Sequence, residues 1–151
     1  MEKSKGFLKE KEGIFIDYEM FVDMKKALRE TFASGAYVII AIMAKRCGRN
    51  VFEKIKKKAK TKKDALEQLC NMVNERNWGE LSFTEVNFEK KSGKGIIKNS
   101  FEARNCKSTT PCCHFLSNFI AGFLSKAFEK EINVVELKCA GKGDTYCEFK
   151  F

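Results

Sequence analysis

Residues 111–151 read PCCHFLSNFIAGFLSKAFEKEINVVELKCAGKGDTYCEFKF, a helical pattern followed at once by a hairpin pattern. Over Cys112 to Phe128, the residues Phe115, Leu116, Phe119, Ile120, Phe123, Leu124 and Phe128 recur on one broad helical face. Pro111 stands where the first helical residue would be, a place where proline forfeits no hydrogen bond. Two strands follow, Ile132 to Ala140 and Thr145 to Phe151, joined by Gly141-Lys142-Gly143-Asp144. A helix that feeds an antiparallel hairpin belongs to an α+β layer architecture.

The preceding residues fit the same class. Residues 5 to 16 read as a short hairpin that turns at Gly13, and Asp17 is a suitable N-cap. From Tyr18 to Phe32 the apolar residues keep helical spacing. Ser34-Gly35 interrupts them, and a second helix runs from about Ala36 into the 50s. Its start, AYVIIAIMA, is apolar nearly all round, which predicts deep burial. Thr61 caps a third helix with Ala65, Leu66, Leu69, Cys70 and Val73 on one stripe. After Trp78-Gly79 the period drops to two, and a phase slip between Phe83 and Val86 predicts a bulge. Ser92-Gly93-Lys94-Gly95 reads as the next turn, and a return strand runs from Ile96 to Cys106. The expectation is one α+β domain over residues 1–151, with an antiparallel sheet packed against a helical layer.

Composition agrees. A chain of 151 residues, 44% hydrophobic and with 14 Phe, can bury a full core and is no disordered basic tail. The N-terminal residues hold no apolar stretch of the secretory type, and nine apolar residues, Ala36 to Ala44, fall short of a membrane span. A cytoplasmic protein without membrane association is expected. The net charge of +9 includes seven lysines between Lys54 and Lys63, with neither arginine nor interleaved aromatics. Base readout and single-strand binding use arginine forks and stacking rings, so a solvated helix end is the plainer reading and nucleic acid is not an expected partner.

Seven cysteines, an odd number, argue for metal ligands or buried thiols over a disulfide framework. Five lie in the last third of the chain: Cys106, Cys112, Cys113, Cys139 and Cys147. Cys139 and Cys147 flank Gly143 at equal distances, so they are cross-strand neighbours able to share one tetrahedral cation. Cys112-Cys113 at a helix start offers a third thiolate, and Glu136 a fourth donor. Glu136 and Cys139 differ by three positions, so an ideal strand points them to opposite faces, and a bulge or a strand end is required. The same cysteines also fit small buried hydrophobes, or a disulfide between Cys139 and Cys147.

The run Pro111-Cys112-Cys113-His114-Phe115, Ala121-Gly122 and the spacing Glu136-x2-Cys139-x4-Asp144-x2-Cys147-x-Phe149 resemble the vinyl-4-reductase domain family. Small archaeal proteins and the sensory domains of phenol-responsive bacterial activators share that domain, and vesicle-tethering subunits are distant fold relatives. The resemblance covers residues 111–151 and is weak before residue 78. It implies structural zinc held by Cys113, Glu136, Cys139 and Cys147, with Cys112 as a neighbour able to substitute. It also implies an apolar pocket for a small hydrophobic or aromatic ligand, for which Tyr37, Trp78, Phe119 and Phe123 are the candidate lining. A homodimer is the candidate assembly. The alternative is an accessory or catalytic role in tetrapyrrole or aromatic vinyl reduction, but no nicotinamide or flavin fingerprint accompanies it. His114, the single histidine, lies beside two cysteines and is read as a neighbour of the site or a surface residue, so a binding module is favoured over an enzyme.

Overall fold

A computed structural model describes residues 16–104 and 106–151. Among these, four α-helices and four β-strands make one α+β domain, as the sequence pattern predicts. The helices are α1 (Tyr18–Phe32), α2 (Gly35–Ile55), α3 (Lys62–Glu75) and α4 (His114–Ala127). The strands are β1 (Glu80–Asn87), β2 (Ser92–Lys98), β3 (Val135–Lys138) and β4 (Cys147–Lys150). They form one antiparallel sheet in the order β1-β2-β4-β3. The hairpin expected over residues 5 to 16 falls almost wholly outside the described residues.

Local chemistry sets the helix starts. Asp17 accepts a hydrogen bond from the Met20 N–H at 2.9 Å, and Thr61 accepts from the Asp64 N–H at 3.0 Å. Each satisfies a donor that the first turn leaves without a partner. Helices α2 and α4 then pack backbone to backbone. A Cβ on Gly48 would collide with the Phe119 carbonyl, and one on Gly122 with the Lys45 carbonyl. Only glycine permits that approach. The core lies between these helices, α3 and one face of the sheet, where Leu69, Ile97, Phe119, Phe123, Phe128 and Phe149 are fully buried.

Several expectations need correction. The start of α2 is not buried all round: Ala36, Ile40 and Ala44 are, but Val38 is 60% and Ile42 64% exposed. The helix packs through its small-residue face, and the opposite face remains at the surface of the chain. Gly93-Lys94-Gly95 is strand, not turn. The reversal comes earlier, at residues 88–91, where Asn87 accepts from the Lys90 N–H and Lys91 takes a positive φ of 56°. The glycines serve packing instead. A Cβ on Gly93 would stand 2.7 Å from the Phe151 ring, and one on Gly95 3.4 Å from the Phe83 ring. Strand β2 ends at Lys98 rather than Cys106, and α4 begins at His114, leaving Pro111, Cys112 and Cys113 in the preceding loop. The bulge in β1 is present, as a register shift between Thr84 and Asn87 with Glu85 at φ 54°.

Helix α1 rests lightly on this body and buries no residue of its own. Phe21 meets Phe101 and Phe115 edge-on at 5.1 and 5.5 Å, and Lys25 pairs with Glu102.

Candidate metal centre and apolar groove

Cys113 occupies the N-cap position of α4 without a side-chain cap. Another residue therefore closes the helix start. Glu102, buried below the N-terminus, accepts from the Phe115 and Leu116 N–H groups at 3.1 and 2.8 Å while Lys25 neutralises it. Burial pushes the Glu102 carboxyl above its ordinary value against the pull of Lys25. With that role filled, the Cys113 thiol faces the closing hairpin, 3.5 Å from the sulfur of Cys147 and 3.5 Å from the Ser100 hydroxyl.

The hairpin supplies the remaining donors by breaking its own register. Glu136 pairs with Phe149 but Lys138 with Glu148, so the pairing shifts between them. That irregularity, and the position of Cys139 just past the strand end, bring Glu136 and Cys139 to the same side despite their odd spacing. The Asp144 carboxylate accepts from the Cys139 N–H at 2.8 Å and shapes the loop, while the Ala140 N–H points at the Cys147 sulfur at 3.4 Å.

The result is a buried cluster that could hold a metal ion: ligand atoms of Cys113, Glu136, Cys139 and Cys147 all lie within 4.8 Å of one another. Two thiolates bound at ~2.3 Å in a tetrahedral shell stand ~3.8 Å apart, close to the 3.5 Å between Cys113 and Cys147. Glu136 provides an independent test of fit. One carboxylate oxygen accepts from the Cys113 N–H at 3.1 Å, whereas the other is buried with no hydrogen-bond partner. Burying an acceptor without a partner is costly, and a cation bound by the three sulfurs would satisfy it. The thiols also share protons unevenly. Hydrogen bonds with Cys112 and Cys147 push Cys113 up, and the same contacts hold Cys112, at about 6, and Cys147 below the ordinary thiol value.

Cys112 points elsewhere, with its sulfur 3.5 Å from that of Cys139. His114 opens α4 half-buried against the Tyr37 ring, 4.4 Å between centroids, and burial holds its imidazole below the ordinary value.

The four aromatics expected to line a pocket are spread over different surroundings. Tyr37 is 41% exposed beside His114. Trp78 is enclosed by Phe101, Phe115 and Phe119, and Phe123 packs edge-on against Phe52. None of the four lines the groove between α3 and β1. That groove has a volume of about 550 Å³ and is walled by Leu66, Cys70, Leu81, Phe83, Val86 and Phe88, with Lys63 and Asn71 among its polar lining. Its size falls within the usual range for small-molecule sites. Burial pushes the Cys70 thiol up to about 11, so it is a neutral wall of the groove. Sequence reasoning missed the groove and Glu102; the apolar stripe of α3 facing the alternating residues of β1 was the available signal.

Residues 96–151 match the vinyl-4-reductase domain family. The chain is 32% identical over 120 residues to the uncharacterized protein MJ0150 of Methanocaldococcus jannaschii, which covers 79% of this chain and 66% of that protein. It is 39% identical over 70 residues to MJ0855 of the same organism, 44% of this chain and 31% of that one. The chain thus spans less than two thirds of each. Among solved structures it is similar to the phenol-responsive sensory domain of the transcription activator PoxR with phenol, at TM-score 0.82 and 19% identity, covering 93% and 76% of the two chains. A vinyl-4-reductase family protein from Methanocaldococcus jannaschii superposes at TM-score 0.57 with 18% identity, covering 91% and 97%. A trafficking protein particle complex subunit 3 from Naegleria fowleri, covalently bound to palmitic acid, reaches 0.63 with 11% identity, covering 88% and 90%. At these identities the likeness is one of fold.

Proposed function

Because this chain carries a vinyl-4-reductase domain, with residues 96–151 matching the family, we propose that it binds a small hydrophobic or aromatic molecule in a fold stapled by structural zinc. The groove between α3 and β1 carries the ligand reading: it is apolar, open to entry and large enough for a phenolic ring or part of an acyl chain. The phenol of the PoxR structure and the palmitic acid of the trafficking subunit support that class of ligand. The orphaned oxygen of Glu136 beside three buried thiols supports the metal.

Three thiolates and a carboxylate complete a tetrahedral shell, which leaves no position for a reacting water. Zinc in this set therefore ties the start of α4 to the β3–β4 hairpin and takes no part in chemistry. Cys113, Cys139 and Cys147 would hold it as thiolates, with Glu136 as the fourth donor.

Phenol and palmitate are the probes for a thermal-shift titration. Each probe that binds the native state raises the melting temperature once its concentration passes Kd. Phe88→Ala, at a groove wall that is 36% exposed, weakens the shift without unfolding the chain. Melting temperatures unmoved by phenols and fatty acids alike would overturn the ligand reading. Metal analysis of the purified protein should find about one zinc per chain, lost in Cys139→Ser; none in wild type overturns the metal reading.

A further inference from the structure

Cys112 lies outside the four-donor set and directly against it. Its sulfur is 3.5 Å from that of Cys139, and Gly141 makes the room, since a Cβ there would stand 2.5 Å from the Cys112 sulfur. Among the four buried cysteines, Cys112 alone keeps open surface: 8%, against 0% for Cys113, Cys139 and Cys147. When the other three bind a cation, Cys112 remains an uncommitted thiol touching a ligand sulfur.

We propose that Cys112 is an oxidant-sensitive residue that discharges the metal site: a peroxide links it to Cys139 as a disulfide, and the cation leaves. This rests on the zinc reading above. The Cys112 sulfur attacks one oxygen of the peroxide; the O–O bond breaks, a sulfenic acid forms and hydroxide departs. The Cys139 thiolate then attacks the Cys112 sulfur; the S–S bond forms, the S–O bond breaks and a second hydroxide departs. The two sulfurs lose two electrons to the peroxide oxygens. The Cys112 proton and solvent protons convert both hydroxides to water. One thiolate donor is removed, and the remaining two thiolates and carboxylate no longer close the shell.

The local backbone suits the step. The sulfurs must close from 3.5 Å to ~2.05 Å. Cys112 is in the loop before α4, and Cys139 lies between the end of β3 and the short 3-10 turn at Ala140–Lys142, so neither sits within a hydrogen-bonded ladder or helix. Two other pairs compete. Cys113 and Cys147 are also 3.5 Å apart, but both are committed to the cation and closed to solvent. Cys106, half-buried, packs on the same Gly141 with its Cβ 3.1 Å from a Cβ built there.

The test oxidises zinc-loaded wild-type protein with hydrogen peroxide beside a chromophoric chelator, then maps disulfides by mass spectrometry after thiol alkylation. Expected is release of one zinc for each Cys112–Cys139 linkage, reversed by a dithiol and added zinc. Cys112→Ser and Cys112→Ala keep their metal at doses that empty the wild type. A Cys106–Cys112 or Cys113–Cys147 linkage as the main product overturns the inference while leaving the zinc reading intact. So does metal release from the variants at the wild-type rate. A wild-type protein that holds no zinc before oxidation overturns both. The linkage map needs no variant, so misfolding of Cys112→Ser would not blunt the test.

Discussion

Glu136→Gln keeps the shape of the side chain and removes its charge. The bond from the Cys113 N–H, 3.1 Å, passes to the amide oxygen. Without zinc, stability therefore shifts by less than about 1 kcal/mol, the usual net worth of one hydrogen bond. The other carboxylate oxygen, buried and without a partner, is the atom whose replacement by NH2 matters. An anionic donor becomes one that cannot bind a cation, and a tenfold or greater loss of affinity corresponds to at least about 1.4 kcal/mol. With free zinc well above both dissociation constants, stabilisation grows as RT ln([Zn]/Kd), so the full ~1.4 kcal/mol separates the two proteins. For a chain of this length, about 2–4 °C per kcal/mol, the variant melts about 3–6 °C lower in zinc. In excess chelator the two should melt together. Scanning calorimetry in zinc-buffered and chelator-containing solutions reads both arms. An equal loss in the two would show that Glu136 only packs; no loss in zinc would show that it is not a ligand.

Three other outcomes follow from the packing. Gly122→Ala sets a methyl against the Lys45 carbonyl, where only backbone can yield, and costs about 3 kcal/mol or more; a urea midpoint equal to wild type would refute that contact. Lys25→Met strips the cation from Glu102, whose side chain is fully buried, and costs about 3 kcal/mol, the low end for such pairs because Lys25 is itself partly exposed. Glu102→Gln, still accepting from the Phe115 and Leu116 amides, should be milder, and the reverse order would remove the ion pair from the account. Burial raises the Glu102 carboxyl, so the folded chain holds its proton more tightly than the unfolded one. Its contribution is full below the unfolded value near 4.5 and is lost as pH rises through the folded value; urea melts should show that slope in wild type and not in Glu102→Gln.

The parts of the fold legible in the sequence are those governed by neighbours along the chain. Asp17 and Thr61 each reach a backbone N–H three residues on, so α1 and α3 begin where their caps predict. The slip of phase between Phe83 and Val86 is visible because strand alternation is strict. The turn at Ser92–Gly95 misled because glycine has two uses. Here the rings of Phe151 and Phe83, remote in sequence, claim the space above Gly93 and Gly95, while Asn87 makes the reversal.

At the candidate site, the donor chemistry is readable from the residues alone: three thiols and a carboxylate at a spacing that brings the closing hairpin and the helix before it together. So is the parity conflict between Glu136 and Cys139, a consequence of side chains alternating along a strand. How that conflict resolves, through the register shift against β4, emerges only in three dimensions. The same holds for Cys113 joining the cluster while Cys112 turns to Cys139, and for the cavity opening between α3 and β1 rather than around Trp78 and Phe119. Caps, periods and bulges arise from sterics and hydrogen bonds within a few residues. Which sulfur faces the cluster, and whether an aromatic fills a void or walls one, depends on shifts of an ångström or two between elements far apart in the chain, and close packing fixes those shifts only when the whole core assembles.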